Sequence, residues 1–424
     1  MSNKINSILK EVLKRVNPKK EELDYVDKSL KEFLKNINGK IKKSKIKVDV
    51  FIGGSFAKKT VIRKNEYDVD VFLRFDKKHR EEVSKLTKNL LKGVKGVSLI
   101  HGSRDYFQIK LDKGFIIELI PVVKVNNPDQ AENITDLSYS HVKYINKKVK
   151  SQKVLDEIKI LKAFCYANGT YGAESYVKGF SGYAIELLIA HYGSFIKFLK
   201  EVVKDKEKIV IDTEKRYKNR SHVLMDINSS KLNSPIIVVD PTSMSRNALA
   251  ALSEETFKGF KKSASKFLKN PSIRDFEVVK IDLEKVKKEA KKKGNDFVLI
   301  ELGTTRQEGD IAGTKLLKFY NHLAEQISKS FDIKKKGFDY LGGKEGQCFL
   351  VAKPKKEILF SGPFVKDKTN SKAFKKKHKK SFVKNGRLYS KAKVSVNLKK
   401  FLENWKTKYK GRLSEMYVSK IKIS

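Results

Sequence analysis

One stretch of the sequence decides the fold, Ile52-Gly-Gly-Ser-Phe-Ala-Lys-Lys-Thr-Val-Ile-Arg-Lys-Asn-Glu-Tyr-Asp-Val-Asp-Val-Phe-Leu-Arg-Phe75. It joins a glycine turn to an apolar strand in which Asp68 and Asp70 alternate with valines. Side chains two positions apart in a strand point the same way, roughly 6.6 Å apart. Two such carboxylates repel each other and lose hydration unless something compensates them. This spacing can bracket divalent metal ions if the carboxylates converge, so we expect a cationic group between Asp68 and Asp70.

The glycine turn before these acids is suited to a triphosphate. Gly53 and Gly54 lack a Cβ, so their backbone can approach an anion closely and adopt positive φ. Consecutive backbone N–H groups in such a turn form an anion-binding concavity. Ser55 adds a hydroxyl, and Lys58 and the lysine after it add positive charge. The sequence predicts a phosphate site at this turn.

A P-loop is excluded by one residue and by spacing. Residues 53–60 almost fit G-x-x-x-x-G-K-T, but Lys58 stands where that motif requires its second glycine. The two aspartates also follow too soon for the helix that a P-loop would open.

The arrangement resembles the nucleotidyltransferase superfamily of DNA polymerase β, which has a Gly-Ser turn, then acid-x-Asp on a strand, and a third acid on a neighbouring strand. Residues 107–111 and 115–123 are predicted to form two short strands separated by Asp112-Lys-Gly114. Glu118 interrupts the apolar run of the second strand. A solvent-facing glutamate on an edge strand is the alternative. Beside the first two acids, we interpret Glu118 as the third carboxylate.

The composition indicates a multidomain protein with a polyanionic partner. A chain of 424 residues forms about two to four domains. Lys and Arg total 93 against 49 acids, a net charge of +44, which favours binding to nucleic acid. The codon bias of an AT-rich genome, or the lysine-rich surface of a thermophile, are alternative explanations. The charge therefore supports binding to nucleic acid but does not prove it.

Other classes of protein are disfavoured. Cys165 and Cys348 are the only cysteines, so neither a disulfide framework nor a zinc site is predicted. No signal peptide is evident, and no apolar run approaches the ~20 residues of a membrane span. We expect no membrane association and a cytoplasmic location.

The order of patterns predicts three domains. Helices at residues 3–15 and 20–34, a strand at 46–52, the acid-bearing strand, a charged helix near 77–91 and the later strands predict an α/β catalytic head over residues 1–150. A mainly helical pattern, broken near Asn168, predicts a central domain over 151–270, to which the family resemblance given below assigns nucleotide selection. There, residues 235–241 read as a strand, and Ser245-Arg-Asn247 is predicted to open a helix.

The third predicted domain spans residues 271–424. Its pattern alternates over 276–281, then predicts helices to 293 and over 316–331, and strands at 297–302, 347–352 and 358–360. A basic run with interleaved aromatics follows at 372–382. The overall prediction is an α/β (α+β) multidomain fold: a polymerase β-like head, a helical neck or central domain, and an α+β body and tail.

Further motifs resemble archaeal-type (class I) CCA-adding tRNA nucleotidyltransferases. The resemblance covers most of the chain in the family's domain order. In the centre it rests on Ile160-Leu-Lys-Ala-Phe-Cys-Tyr-Ala-Asn-Gly-Thr-Tyr-Gly-Ala-Glu174, Val177-Lys-Gly-Phe-Ser-Gly-Tyr183, Glu186-Leu-Leu-Ile-Ala-His-Tyr-Gly-Ser194 and Val239-Asp-Pro241 with Ser245-Arg-Asn247. In the tail it rests on Gly362-Pro363, Ala373-Phe374 and Asn385-Gly-Arg387.

The resemblance implies a set of site residues. Asp68, Asp70 and Glu118 match the family's metal-binding and catalytic acids. The residues that match its nucleotide-binding positions are Gly54, Ser55 and Lys58 in the turn, His141, Lys162 and Tyr171 at the phosphates and sugar, and Arg246 at the base. From the residues alone, Lys162 also fits a snorkelling lysine and His141 a helix-capping histidine.

Three departures from the family pattern are visible. Lys58 stands where arginine is expected, which keeps the charge but loses the bidentate fork. Glu118 stands where aspartate is expected. The turn-to-strand loop is one residue longer than usual, so Glu66, two residues before Asp68, is an alternative first acid.

The implied reaction is the addition and repair of the 3′-terminal CCA of tRNA from CTP and ATP, with release of pyrophosphate. Two Mg²⁺ ions are implied between the acids and the phosphates, because hard oxygen ligands favour Mg²⁺. Within the basic run, Lys375, Lys376, Lys377, Lys379 and Lys380 are expected to bind tRNA phosphates. A solvated, partly disordered lysine loop is the alternative. The resemblance adds shape-selective capture of the acceptor arm and T-loop side.

Two other functions stay open at this point. A poly(A) polymerase or another RNA tailing enzyme shares the turn and acids. A catalytically inactive RNA-binding relative is favoured by Glu118 in place of aspartate. The oligomeric state is also open, with a homodimer among the alternatives.

Overall fold

The structure, a computed structural model, describes residues 2–63, 67–102, 104–205, 207–278, 281–393 and 395–424. It divides into two units, residues 1–279 and 280–424. The predicted boundaries at residues 150 and 270 stay predictions. Among the described helices, none combines the length and apolarity needed to cross a bilayer.

The first unit contains helices and strands in mixed order. Its helices are α1 (Ser2–Val16), α2 (Lys20–Ser44), α3 (Gly54–Ala57), α4 (Val83–Leu90), α5 (Ser138–Lys148), α6 (Gln152–Ala167), α7 (Gly182–Tyr192), α8 (Phe195–Lys204), α9 (Arg220–Asp226) and α10 (Glu254–Lys269). Its strands are β1 (Val48–Ile52), β2 (Tyr67–Phe75), β3 (Val97–Ile100), β4 (Tyr106–Lys110), β5 (Phe115–Val123), β6 (Ile209–Ile211), β7 (Ile236–Asp240) and β8 (Ser243–Asn247).

The acid-bearing strand β2 lies inside a five-stranded sheet of order β1-β2-β5-β4-β3. It pairs parallel with β5, whereas the other pairs are antiparallel. Val69 and Val71 of β2 are buried in one core with Leu30 and Ile37 of α2. Because successive strand residues point to opposite faces, this packing turns the acids of β2 away from that core.

Helices α6, α7, α8 and α10 surround a second core of the same unit. The ring of Phe164 meets those of Phe195, Phe260 and Phe267 in edge-to-face contacts. Beside these helices, the strands β6, β7 and β8 form a three-stranded sheet. Every residue of β7 is buried, and the strand ends at Asp240.

The predicted helix at Ser245-Arg-Asn247 is wrong. These residues belong to β8, which folds back antiparallel onto β7. The Asn247 side chain accepts a hydrogen bond from the Val238 N–H at 3.0 Å and so closes the hairpin. A helix begins only at α10, after Ser253 has capped it by accepting from the N–H of Thr256.

The second unit contains a four-stranded sheet of order β10-β11-β9-β15 and a three-stranded sheet of order β12-β14-β13. Its elements are α11 (Leu283–Lys292), β9 (Asp296–Thr304), α12 (Asp310–Ser328), β10 (Phe331–Gly342), β11 (Glu345–Pro354), β12 (Ile358–Phe364), α13 (Lys368–Lys377), β13 (Ser381–Lys384), β14 (Arg387–Ala392), α14 (Leu398–Lys408), α15 (Lys410–Glu415) and β15 (Val418–Ile423).

The structure departs from the sequence pattern in and just before this unit. The helix predicted over 316–331 is present as α12 but ends at Ser328, and the edge strand β10, with three consecutive lysines, was not predicted. The alternating residues from 276 do not form the start of a strand in their described part, because Ile273–Phe276 is a 3₁₀ turn. The predicted α/β multidomain fold class is confirmed.

Candidate active site

The three predicted acids lie on one face of the first unit's sheet. Asp70 on β2 is paired in parallel register with Glu118 on β5. Asp68 lies two residues before Asp70 on the same strand, so all three side chains point the same way. Asp68 is exposed, and Asp70 and Glu118 are half-buried. The alternative first acid, Glu66, lies outside the described residues.

Two neighbours of Glu118 show how this face is organised. Gln108 on β4 pairs with Glu118 and donates from Nε2 to its Oε1 at 2.8 Å, which orients the carboxylate. Burial and the charges of Glu118, Asp68 and Asp70 together raise the pKa of Tyr106 to about 12. Because all three carboxylates act on the same phenol, their negative charges are concentrated on this face of the sheet.

The glycine turn contacts Asp70 directly. The Gly53 N–H donates to the Asp70 carbonyl oxygen at 2.8 Å. Gly54 has φ +59°, and a Cβ on it would lie 1.6 Å from Oδ2 of Asp70. Only glycine fits here, because the position needs both the left-handed backbone and the missing side chain. The turn and the acid-bearing face are therefore in direct contact.

The donor set fits Mg²⁺, although the protein side chains do not complete a metal site. Among the described residues, no group of three or more His, Cys, Asp and Glu side chains is arranged to hold a metal ion. Mg²⁺ is usually held by one or two carboxylates, with substrate phosphates and water filling its shell. Asp68, Asp70 and Glu118 can supply the carboxylate ligands, and a phosphate in the neighbouring glycine turn can supply others.

Lys58 and Lys162 meet at a buried acid that sequence reasoning missed. Glu186 on α7 accepts from the Lys58 ammonium at Oε2, 2.6 Å away, and from Lys162 at Oε1, 2.9 Å away. The Thr60 hydroxyl donates to the same Oε1 at 2.7 Å. Burial alone would raise the pKa of Glu186, but the charges of Lys162 and Lys58 lower it to about 2. The acid is therefore ionised at neutral pH.

A second buried acid organises His141 and Arg246. Oδ2 of Asp240 lies 3.1 Å from Nε2 of His141 and 2.5 Å from Nη1 of Arg246. Tyr183 donates to the other oxygen, Oδ1, at 3.0 Å, and its ring stacks on His141. Burial would raise the pKa of Asp240, but the hydrogen bonds from His141 and Thr242 and the charge of Arg246 hold it below its usual range.

His141 itself is neutral at neutral pH. Burial lowers its pKa, and the neighbouring Asp240 does not offset that effect. The ring therefore offers hydrogen bonds but no positive charge, whereas Arg246 brings a permanent charge to the same network.

The predicted nucleotide-binding residues divide into two groups. Ser55, Asp68, Lys162 and Tyr171 line one small pocket. His141 and Arg246 line a larger cavity of the same unit, together with Tyr183. The Lys58 ammonium lies 5.8 Å from the centre of the Tyr183 ring, so this tyrosine connects the two groups.

The basic run begins in a helix and continues beyond its end. Lys375, Lys376 and Lys377 form the last turn of α13, and Lys379 and Lys380 lie between this helix and β13. All five side chains are exposed. The helix is fixed by Phe374, whose ring lies so close to Gly362 on β12 that a Cβ there would be 2.8 Å from it.

The fold and the acid-bearing face define a polymerase β-like nucleotidyltransferase. Two solved structures share this fold. The Cid1 poly(U) polymerase bound to MgATP has a TM-score of 0.51 at 12% identity, covering 66% of this chain and 100% of that chain. A cytoplasmic RNA terminal U-transferase has a TM-score of 0.50 at 12% identity, covering 66% and 99%. At these identities the likeness shows the fold alone.

Sequence comparison identifies the family. The family model "tRNA nucleotidyltransferase, second domain" matches residues 156–277. The CCA-adding enzyme of Nanoarchaeum equitans is 32% identical over 378 residues, covering 88% of this chain and 90% of the relative. That of Methanocaldococcus jannaschii is 31% identical over 406 residues, covering 91% and 87%. The chain belongs to the archaeal CCA-adding enzyme family of tRNA nucleotidyltransferases.

Proposed function

We propose that this protein completes and repairs the 3′ end of tRNA by adding C, C and A from CTP and ATP, with release of pyrophosphate and without a nucleic-acid template. The observation that carries the proposal is the parallel pairing of Asp70 with Glu118 beside the Gly54 turn. Similarity to CCA-adding enzymes over almost the whole chain supports tRNA as the acceptor.

The acids and the turn would act on opposite ends of the same phosphate chain. Asp68, Asp70 and Glu118 would hold Mg²⁺, and the turn backbone with Ser55 would receive the β- and γ-phosphates. When bound there, two Mg²⁺ ions would activate the primer 3′-hydroxyl and stabilise negative charge on the transferring phosphate and the leaving pyrophosphate. Gln108 would keep Glu118 oriented toward this position.

The lysine cluster would add a fixed positive charge at the triphosphate. One carboxylate between two ammonium groups leaves one positive charge in excess at Lys58 and Lys162. In a partly desolvated pocket such a charge attracts phosphates more strongly than an exposed lysine does. This charge also favours departure of pyrophosphate.

Base selection would occur at the cavity lined by His141 and Arg246. The Asp240 carboxylate fixes both side chains, so their remaining hydrogen-bonding groups have defined directions. A site with fixed polar groups rejects a base that leaves them unpaired, which is the physical basis of discrimination between C and A.

The lysines of α13 would bind tRNA phosphates. Replacing Lys375, Lys376 and Lys377 with Gln is expected to weaken tRNA binding and reduce the slope of log affinity against log salt by about 2 to 3. The matched control replaces the exposed lysines of α11, namely Lys287, Lys288 and Lys291. An equal loss in both variants would contradict a specific role for α13.

The function is tested with a tRNA transcript that ends before CCA, labelled CTP and ATP, and Mg²⁺. Two additions of C followed by one of A, with no extension of mature tRNA, support the proposal. A long homopolymer would indicate a tailing enzyme, and binding without transfer an inactive relative. Chelation with EDTA should abolish transfer. Light scattering on the same sample decides between a monomer and a homodimer, which the sequence left open.

A further inference from the structure

Glu186 is a charged side chain in a buried, otherwise apolar segment of a helix. It lies on α7 between Ile185 and Leu187, and all three residues are fully buried. Removing a carboxylate from water costs several kcal/mol unless cations and hydrogen bonds replace the water. Here two ammonium groups and one hydroxyl do so.

The partners of Glu186 come from separate parts of the first unit. Lys58 and Thr60 follow α3 at the glycine turn, 128 and 126 residues away in sequence, and Lys162 is on α6. The Lys162 ammonium also donates to Oγ1 of Thr60 at 2.8 Å and to its carbonyl oxygen at 3.2 Å. Its three protons therefore all have acceptors in this cluster, which fixes its direction.

We propose that Glu186 is a positioning residue for the incoming nucleotide, keeping Lys58 and Lys162 charged and fixed beside the pocket of Ser55 and Asp68. The inference rests on the proposed function, because it takes the ligand of this pocket to be a nucleoside triphosphate. Glu186 acts through the lysines, and its own carboxylate stays buried.

The energetics favour this role over simple packing. A buried ion cluster is often no more stabilising than apolar side chains of the same volume, so the core does not require these charges. Without a carboxylate, however, two nearby buried ammonium groups repel each other, and burial drives each toward its neutral form. A positive site for a triphosphate at this position therefore needs an acid behind it.

The decisive variant is Glu186→Gln, which keeps the size and hydrogen-bonding capacity of the side chain but removes its charge. We expect KM for ATP and CTP to rise about 10- to 100-fold, which is the effect of losing one charge-assisted hydrogen bond. We expect kcat to change much less. We also expect KM of the variant to increase between pH 7 and pH 9, because the carboxylate that stabilises the buried positive charge is absent. The wild-type KM should stay nearly constant over that range.

The pH profile separates positioning from structure. Glu157→Gln is the matched control, because Glu157 lies on α6, the helix that also carries Lys162, and its Oε2 accepts the Phe195 N–H at 2.7 Å. This control is expected to lower thermal stability without changing KM or its pH dependence. Glu186→Asp keeps the charge but retracts it by about 1.5 Å. We expect a smaller rise of KM and a flat pH profile for that variant.

The outcomes distinguish this inference from the proposed function. If the wild-type protein adds no nucleotide to tRNA, the proposed function fails. If the wild type is active and Glu186→Gln has a wild-type or lower KM at every pH, the positioning role is wrong. Should Glu186→Gln not fold, Glu186→Asp decides, and a wild-type KM in that variant overturns the role.

Discussion

The acids of the sheet and the acids of the helical region are built in opposite ways. Asp68, Asp70 and Glu118 lie at a partly open face and concentrate negative charge around the phenol of Tyr106. Glu186 and Asp240 are fully buried, and each has lysines, arginine or histidine around it. The difference indicates two tasks. On our proposal, the sheet acids receive cations from solution, and the buried acids hold the protein's own cations ready for an anionic ligand.

The largest effect is expected at the open face. Asp70→Ala should reduce nucleotide transfer by on the order of 10³-fold or more, because transition-state charge loses its stabilisation. Labelled incorporation measures the loss, while melting temperature and tRNA affinity should stay near wild type. Asp49→Ala is the control, since Asp49 lies on the same sheet with its exposed carboxylate paired to Lys124. Wild-type-like transfer by Asp70→Ala would refute the metal assignment.

A second variant tests whether the turn and the face form one site. Gly54→Ala places a methyl group on Oδ2 of Asp70 and strains the backbone at φ +59°. Displacing a reacting group by about 1 Å is expected to reduce kcat about 100-fold. Gly39→Ala, inside α2 and with no heavy atom within 4 Å of the added Cβ, should be neutral or slightly stabilising. Equal activity of both variants would separate the turn from the catalytic face.

The buried acids should instead control stability at low pH. The pKa of Glu186 falls from 4.5 to about 2 on folding, because the charges of Lys162 and Lys58 outweigh its burial. Its contribution is therefore present above pH 4.5 and is lost as the pH falls toward 2, about 3 kcal/mol in total. Urea unfolding at pH 6 and pH 3 should show a smaller difference in Glu186→Gln than in the wild type. Asp70→Ala should have the same difference in unfolding free energy between pH 6 and pH 3 as the wild type. A smaller difference in this variant would contradict the contrast between the sheet acids and the buried acids.

The smallest effect is expected behind the open face. Gln108→Ala removes one hydrogen bond from Glu118, so kcat should fall about threefold to tenfold. Ser98→Ala is the control, because Ser98 pairs with Gln108 on the neighbouring edge strand and is exposed. A loss as large as that of Asp70→Ala would mean that Gln108 has a direct role.

The same contrast explains what the sequence could and could not predict. Asp68, Asp70 and Glu118 interrupt apolar strands, so a local pattern is enough to select them and to expect a shared face. Glu186 interrupts an apolar helix in the same way, but its partner Lys58 is 128 residues away, and local spacing contains no information on that pair. Whether such a buried acid is destabilising or ion-paired depends on a cation that is distant in the sequence.

The errors in secondary structure have a similar origin. Ser245-Arg-Asn247 has cap-like residues that suit a helix start, but the hairpin with β7 and the Asn247 side chain favour a strand. The β10 strand contains three lysines in a row, which removes the alternation by which strands are recognised. As an edge strand, β10 tolerates them, because lysines there also discourage pairing with another molecule.

The pairing of Lys58 with Glu186 has a consequence for synthesis on the ribosome. The glycine turn and both sheet aspartates emerge early, but the acid that neutralises part of their lysine neighbourhood lies on α7. A nascent chain that ends before α7 contains Lys58 but not Glu186, so this ion pair cannot form. The surroundings of the glycine turn therefore reach their final charge balance only after α7 has been made.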